Sequence, residues 1–135
     1  MKRTSLALFA AAIAFSFVGA QGAAAHEIKP AVTNLLNQPL AGIAGTEANV
    51  VLFAVGPGWT IGKHTHAGDL FVYMLEGSIK IEVEGEPTQI LSPGDVVYEV
   101  PGPSMTGSNV SSTKGARFLV FQVGDIGEPL LVMAE

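Results

Sequence analysis

From Ala31 onward, apolar residues fall in runs of four to eight, and glycine, proline, asparagine or serine interrupts each run. No stretch sustains the 3.6-residue repeat of an amphipathic helix, so the pattern predicts an all-β protein. Ser78 to Glu84 alternates, with Ile79, Ile81 and Val83 on one face and Ser78, Lys80, Glu82 and Glu84 on the other, as expected of a strand with one wet side. Leu70 to Leu75 is apolar on both faces, Leu70, Val72 and Met74 against Phe71, Tyr73 and Leu75, and needs cover twice. Asn49 to Val55, Asp95 to Val100 and Ala116 to Val123 are further strands, and Leu130 to Met133 adds a short last one. Turns are expected at Gly56-Pro57-Gly58, Gly77, Gly85, Pro93-Gly94 and Pro101-Gly102-Pro103. Strands this short and this regularly punctuated suit a sandwich or barrel. Residues 26–48 carry little pattern beyond Val32 to Leu36. They read as an N-terminal arm or edge strand, with residues 49–135 as the barrel.

The chain before residue 26 is patterned differently. Met1-Lys2-Arg3 is a positive start, Leu6 to Val18 is almost unbroken apolar sequence, and Ala23-Ala24-Ala25 offers small residues for cleavage. This is the layout of a cleaved signal peptide over residues 1–25, and the apolar run is shorter than the ~20 residues that cross a bilayer. The expected product is periplasmic or secreted, with no stable membrane insertion after cleavage. Cleavage would remove Lys2 and Arg3 from the 7 basic residues, leaving 5 against 12 acidic ones and a formal charge of −7. A surface of that sign, without a cluster of Lys or Arg, repels phosphate backbones, so nucleic acid is not an expected partner. A chain of 135 residues supports a single core, and the lack of cysteine leaves an oxidising compartment nothing to oxidise.

The candidate chemistry lies at Gly62-Lys63-His64-Thr65-His66. Two histidines at i and i+2 of an extended segment point to one face, so both imidazoles could reach a single ion while Lys63 and Thr65 face away. No nucleophile motif, phosphate-cradling loop or dinucleotide fingerprint accompanies them.

Around this pair the chain resembles the cupin superfamily, in the form of a small single-domain bacterial cupin. The first cupin motif is matched by Gly58, His64, His66 and Gly77, and the second by Gly94-Asp95, Gly102 and Asn109. The stretch from Ser78 to Pro93 is close to the short spacing typical of small bacterial cupins. The resemblance implies a double-stranded β-helix, the cupin-type jelly-roll barrel, over nearly the whole chain after residue 25. It also implies a metal site, but the ligand set departs from the motif. Leu70 stands at the glutamate position, Met105 at the third histidine, and Val100 replaces the motif's proline.

Two readings of this degenerate set follow. In one, His64, His66 and Met105 hold a transition metal, with copper favoured by the thioether and iron, manganese, nickel or zinc also possible. The protein is then an exported metal-binding cupin, such as a small-molecule oxygenase, isomerase or lyase acting on a small oxygen-rich substrate. In the other, Leu70 and Met105 have filled an abandoned metal pocket, and the protein is a non-enzymatic small-ligand or copper-binding module. Glu99 shares a strand face with Val97; an inward carboxylate there is a candidate ligand, histidine orienter or catalytic general base, against the alternative of an exposed edge residue. Asp69 is read as a turn residue bonding nearby amides. Trp59 and Tyr98 are candidates for a pocket mouth, Val72 and Met74 for the cavity wall, and His26 for a terminal copper chelate. The resemblance further implies a homodimer.

Overall fold

The computed structural model describes residues 29–135; the expected signal peptide and His26 lie outside them. Ten strands and no helix form the described chain: β1 (Ala31–Pro39), β2 (Thr46–Val55), β3 (Thr60–Thr65), β4 (Asp69–Glu76), β5 (Ile79–Val83), β6 (Gln89–Leu91), β7 (Val96–Glu99), β8 (Met105–Asn109), β9 (Ala116–Asp125) and β10 (Val132–Met133). They pair antiparallel in two five-stranded sheets, ordered β1-β2-β9-β4-β7 and β10-β3-β8-β5-β6. The all-β class expected from the alternation is observed, and the two antiparallel sheets agree with the double-stranded β-helix that the cupin resemblance implies. The last strand is shorter than expected, because Leu130 and Leu131 precede the pairing rather than join it.

The period-2 pattern does its work at the interface of the two sheets. Leu70, Val72 and Met74 of β4 are buried, as are Ile79 and Ile81 of β5, Val51, Phe53 and Val55 of β2, and Phe118 and Val120 of β9. Phe53 stacks on Phe118 with ring centroids 5.2 Å apart. Burial on this scale is the chief favourable term in folding, about 1.5–3 kcal/mol for each large side chain.

The outer face of the first sheet departs from the usual polar exterior of an antiparallel sheet. Leu36, Val50, Phe121, Phe71 and Tyr98 lie in register across all five strands, and Leu52, Leu119, Tyr73 and Val96 form a second apolar row. Phe71, Tyr73, Tyr98 and Phe121 remain exposed there. Beside them β1 is an edge strand whose nine residues are all exposed.

Gly77 closes the first motif for a geometrical reason. Its φ is 72°, and a Cβ there would come within 2.7 Å of the Gly115 carbonyl and 2.9 Å of the Ala116 Cβ. Gly77→Ala is expected to destabilise the fold by at least about 1–2 kcal/mol from the left-handed backbone alone. The check is a lowered urea midpoint at unchanged slope; an unchanged midpoint contradicts it.

Candidate functional site

β3 carries His64 inward, and His66 follows just beyond its end. Both side chains are buried, at 5% and 6% exposure, and their rings meet edge to face with centroids 5.0 Å apart. Met105 opens β8 directly opposite His64 and is also buried. Glu99 ends β7, inward and 6% exposed, paired in register with Leu70 of β4. All five line one cavity of about 60 Å³ between the sheets. Trp59 belongs to its wall, whereas Tyr98 points outward, stacks on Phe71 and donates its hydroxyl to Asp69. Asp69 therefore faces away from the site, with a cross-strand hydroxyl as partner in place of the nearby amides expected of a turn aspartate.

The histidines are fixed by backbone carbonyls. Nδ1 of His64 lies 2.8 Å from the Gly62 carbonyl oxygen, and Nδ1 of His66 lies 2.7 Å from that of Leu130. A carbonyl only accepts, so each Nδ1 carries a hydrogen and, in a neutral ring, each Nε2 keeps its lone pair. This outer-shell arrangement is the one that presents imidazole to a metal. Nε2 of His66 is buried without a hydrogen-bond partner, although Oε2 of Glu99 is only 3.1 Å away. Two lone-pair-bearing atoms at that distance repel unless a proton or a metal cation stands between them.

The carbonyl that orients His66 comes from 64 residues along the chain. After β9 the chain turns through Gly127, the Pro129 carbonyl accepts from Nε2 of the buried Gln122 at 3.3 Å, and Leu130 and Leu131 enter the cavity wall. β10 then pairs with β3, and the Ala134 amide donates to the Lys63 carbonyl at 2.8 Å. This C-terminal strap forms the part of the cavity wall next to His66, and sequence reasoning missed it. A backbone carbonyl has no side-chain signature, and Gln122 sits in an otherwise ordinary strand.

Nor do the described residues hold a finished metal cage: no group of three or more His, Cys, Asp or Glu is arranged to bind an ion. The donors present are two imidazoles, the Glu99 carboxylate and the Met105 thioether. That set fits a transition metal of borderline or soft character better than magnesium or calcium.

The family model of the cupin domain matches residues 51–121. The chain belongs to the cupin family. No curated protein matches it. A DMSP lyase from Ruegeria pomeroyi is 23% identical with a TM-score of 0.63, covering 90% of this chain and 59% of its own. A conserved double-stranded β-helix protein from Klebsiella pneumoniae is 19% identical with a TM-score of 0.61, covering 79% and 85%. A cupin superfamily protein from Desulfitobacterium hafniense is 16% identical with a TM-score of 0.60, covering 76% and 84%. These likenesses establish the cupin fold; at such identities they carry no activity across.

Electrostatics separate the two imidazoles. Burial lowers the His64 pKa below its ordinary 6.5, outweighing the help of the Gly62 carbonyl. Burial opposes protonation of His66 too, but the Glu99 carboxylate, which accepts from Nε2 once that atom is protonated, and the Leu130 carbonyl together raise its pKa. The His66 proton therefore stabilises the fold fully below the unfolded-chain value, and this contribution is lost as pH rises through the higher native one. For His64 the sign is opposite: its contribution is present above the unfolded value and lost as pH falls toward the native one. NMR titration of the imidazole resonances is expected to place His66 above 6.5 and His64 below, with Glu99→Gln moving His66 down. A His66 midpoint at or below the ordinary value in the unmutated protein contradicts the pairing.

Proposed function

We propose that this cupin is an exported metal-binding protein in which His64 and His66 hold a transition metal through Nε2, with Met105 or Glu99 completing the donor set. The observation that carries this reading is the buried, unpartnered Nε2 of His66 facing the Glu99 carboxylate, a place that calls for a positive species. When bound, the metal supplies Lewis acidity toward an oxygen of a small ligand.

The chain's own groups supply the rest. The Gly62 and Leu130 carbonyls hold the imidazoles in the ligating tautomer, and the apolar walls keep bulk water out. Glu99, on the cavity wall, can take a proton from a bound ligand at its carboxylate. Proton abstraction of this kind belongs to isomerases and lyases, and lyase is the activity named for the Ruegeria protein; an oxygenase would use the same metal. Copper is the favoured ion if Met105 ligates, since thioethers prefer it to iron or manganese.

The proposal is tested by metal analysis of protein isolated from its native compartment, beside a His64→Ala, His66→Ala variant. Near-stoichiometric metal is expected in the natural protein and at least a tenfold loss in the variant, with loading that weakens as pH falls because the His66 proton competes for Nε2. The same preparation should begin at His26. Metal-free protein favours the alternative, a ligand-binding module whose pocket Leu70 and Met105 have filled, and an uncut N-terminus removes the export reading.

The apolar outer face of the first sheet supports a homodimer. Its two registered apolar rows cross five and four of the strands, and a second copy is the partner whose matching face would cover them without exposing anything new. Sedimentation equilibrium at micromolar concentration is expected to give twice the chain mass, with Phe121→Glu shifting the protein to monomer. A monomeric natural protein refutes it.

A further inference from the structure

The cavity has two unlike ends. His64, His66 and Glu99 gather at one, Trp59, Phe53 and Phe118 pack together at the other, and Val72 and Val120 line the wall one register step between them. Thr106 is the single remaining polar side chain in the described lining, which contains no Lys or Arg. One water needs about 10–15 Å³ of such space, so the volume of about 60 Å³ accepts a molecule of roughly four to six heavy atoms.

Width at the aromatic end is set by a missing side chain. A Cβ on Gly107 would lie 3.1 Å from Cγ2 of Ile61 and 3.8 Å from the Trp59 ring, so glycine leaves these two groups the space they occupy. The ligand body meets hydrocarbon on every side there, and polar partners stand at one end alone. Each further oxygen on a ligand would be buried unpaired, weakening binding roughly tenfold or more. A second negative charge would find no cation to meet it.

We infer that the cavity binds a small uncharged molecule with a hydrocarbon body and a single oxygen head, an alcohol or a carbonyl. The body lies against Trp59 and Phe118, and the head lies at His64, His66 and Glu99. This replaces the oxygen-rich substrate expected from the family resemblance with a mostly apolar one. It rests on the reading of the polar end as the functional site, although the apolar end exists with or without a metal.

Trp59 is the chain's single tryptophan and lines the cavity, so its fluorescence reports occupancy directly. The full mature chain is titrated with cyclopentanone and cyclopentanol, and with glycerol and malonate as polar probes of similar size, in metal-free and zinc-treated protein. Saturable emission changes are expected for the two cyclopentyl probes, at least tenfold tighter than for glycerol or malonate. Val72→Phe, which fills the apolar end, should weaken cyclopentanol binding at least tenfold; if that variant does not fold, Val120→Ile replaces it. Equal or tighter binding of glycerol or malonate, no response to any probe, or cyclopentanol binding unchanged by the filling variant overturns the inference. Metal analysis of the zinc-treated sample keeps the two readings apart. Cyclopentyl binding to protein that takes up no zinc sustains the ligand class independently of that ion, whereas zinc uptake with a preference for malonate sustains the metal reading and overturns the ligand class.

Discussion

A carboxylate and an imidazole nitrogen face each other at 3.1 Å inside an apolar barrel, and everything around them answers that fact. Both groups are buried among apolar side chains that include Leu70, Val72, Ile81 and Phe118, so neither is solvated as it would be at the surface, and a lone buried charge is costly. Placing a proton on His66 satisfies the pair in the empty protein, and in the proposed function a metal replaces that proton. The competition between them links the protein's acid-base behaviour to its ligand chemistry.

Fixing the histidines is a problem of chain topology. His64 is oriented within its own strand, by a carbonyl two residues earlier, and so is set as soon as β3 forms. His66 depends on Leu130, which is delivered only after β9 has crossed the first sheet and the chain has returned to β3 in the second. The strap is thus both the last stitch between the sheets and part of the site. Glu47 strengthens its base: this buried carboxylate accepts from Asn49 and from the Gly127 amide, each at 3.2 Å, and these bonds, Asn49 first, hold its pKa below the usual value.

Much of this was readable before any coordinates. Alternation at Ser78 to Glu84 and the two-sided apolar run at Leu70 to Leu75 correspond to β5 and β4, because burial in a sheet imposes a period of two on sequence. Spacing alone put His64 and His66 on a common face, and the pairing of Glu99 with Val97 raised the inward carboxylate. What escaped reading has physical reasons. β8, Met-Thr-Gly-Ser-Asn, is buried at its ends and only half-buried between, so it has no alternation to detect. β6 is three residues long. Asn109 matched a motif position, yet its role as a clamp, donating to the Gly56 and Lys114 carbonyls at 2.9 and 2.7 Å, joins the loop that follows it to one 53 residues earlier in the chain.

The departure from the cupin motif at Leu70 takes on a different meaning in the folded sheet. Leu70 and Glu99 are direct cross-strand partners, and in an antiparallel sheet such partners have Cβ atoms about 4.5–5.5 Å apart on the same face. The carboxylate that the motif places on β4 is therefore matched here by one on β7, at the same level of the barrel and one strand over. Relative to the motif, the carboxylate and the apolar side chain occupy swapped members of one cross-strand pair, so the interior still holds one carboxyl group near the imidazoles with an apolar side chain beside it. In the proposed function the carboxylate donor therefore comes from β7 in place of β4. It also accounts for the Glu99 contact falling on His66, which lies on the opposing sheet and projects toward the β4–β7 wall, while His64 keeps Met105 as its neighbour across β3 and β8.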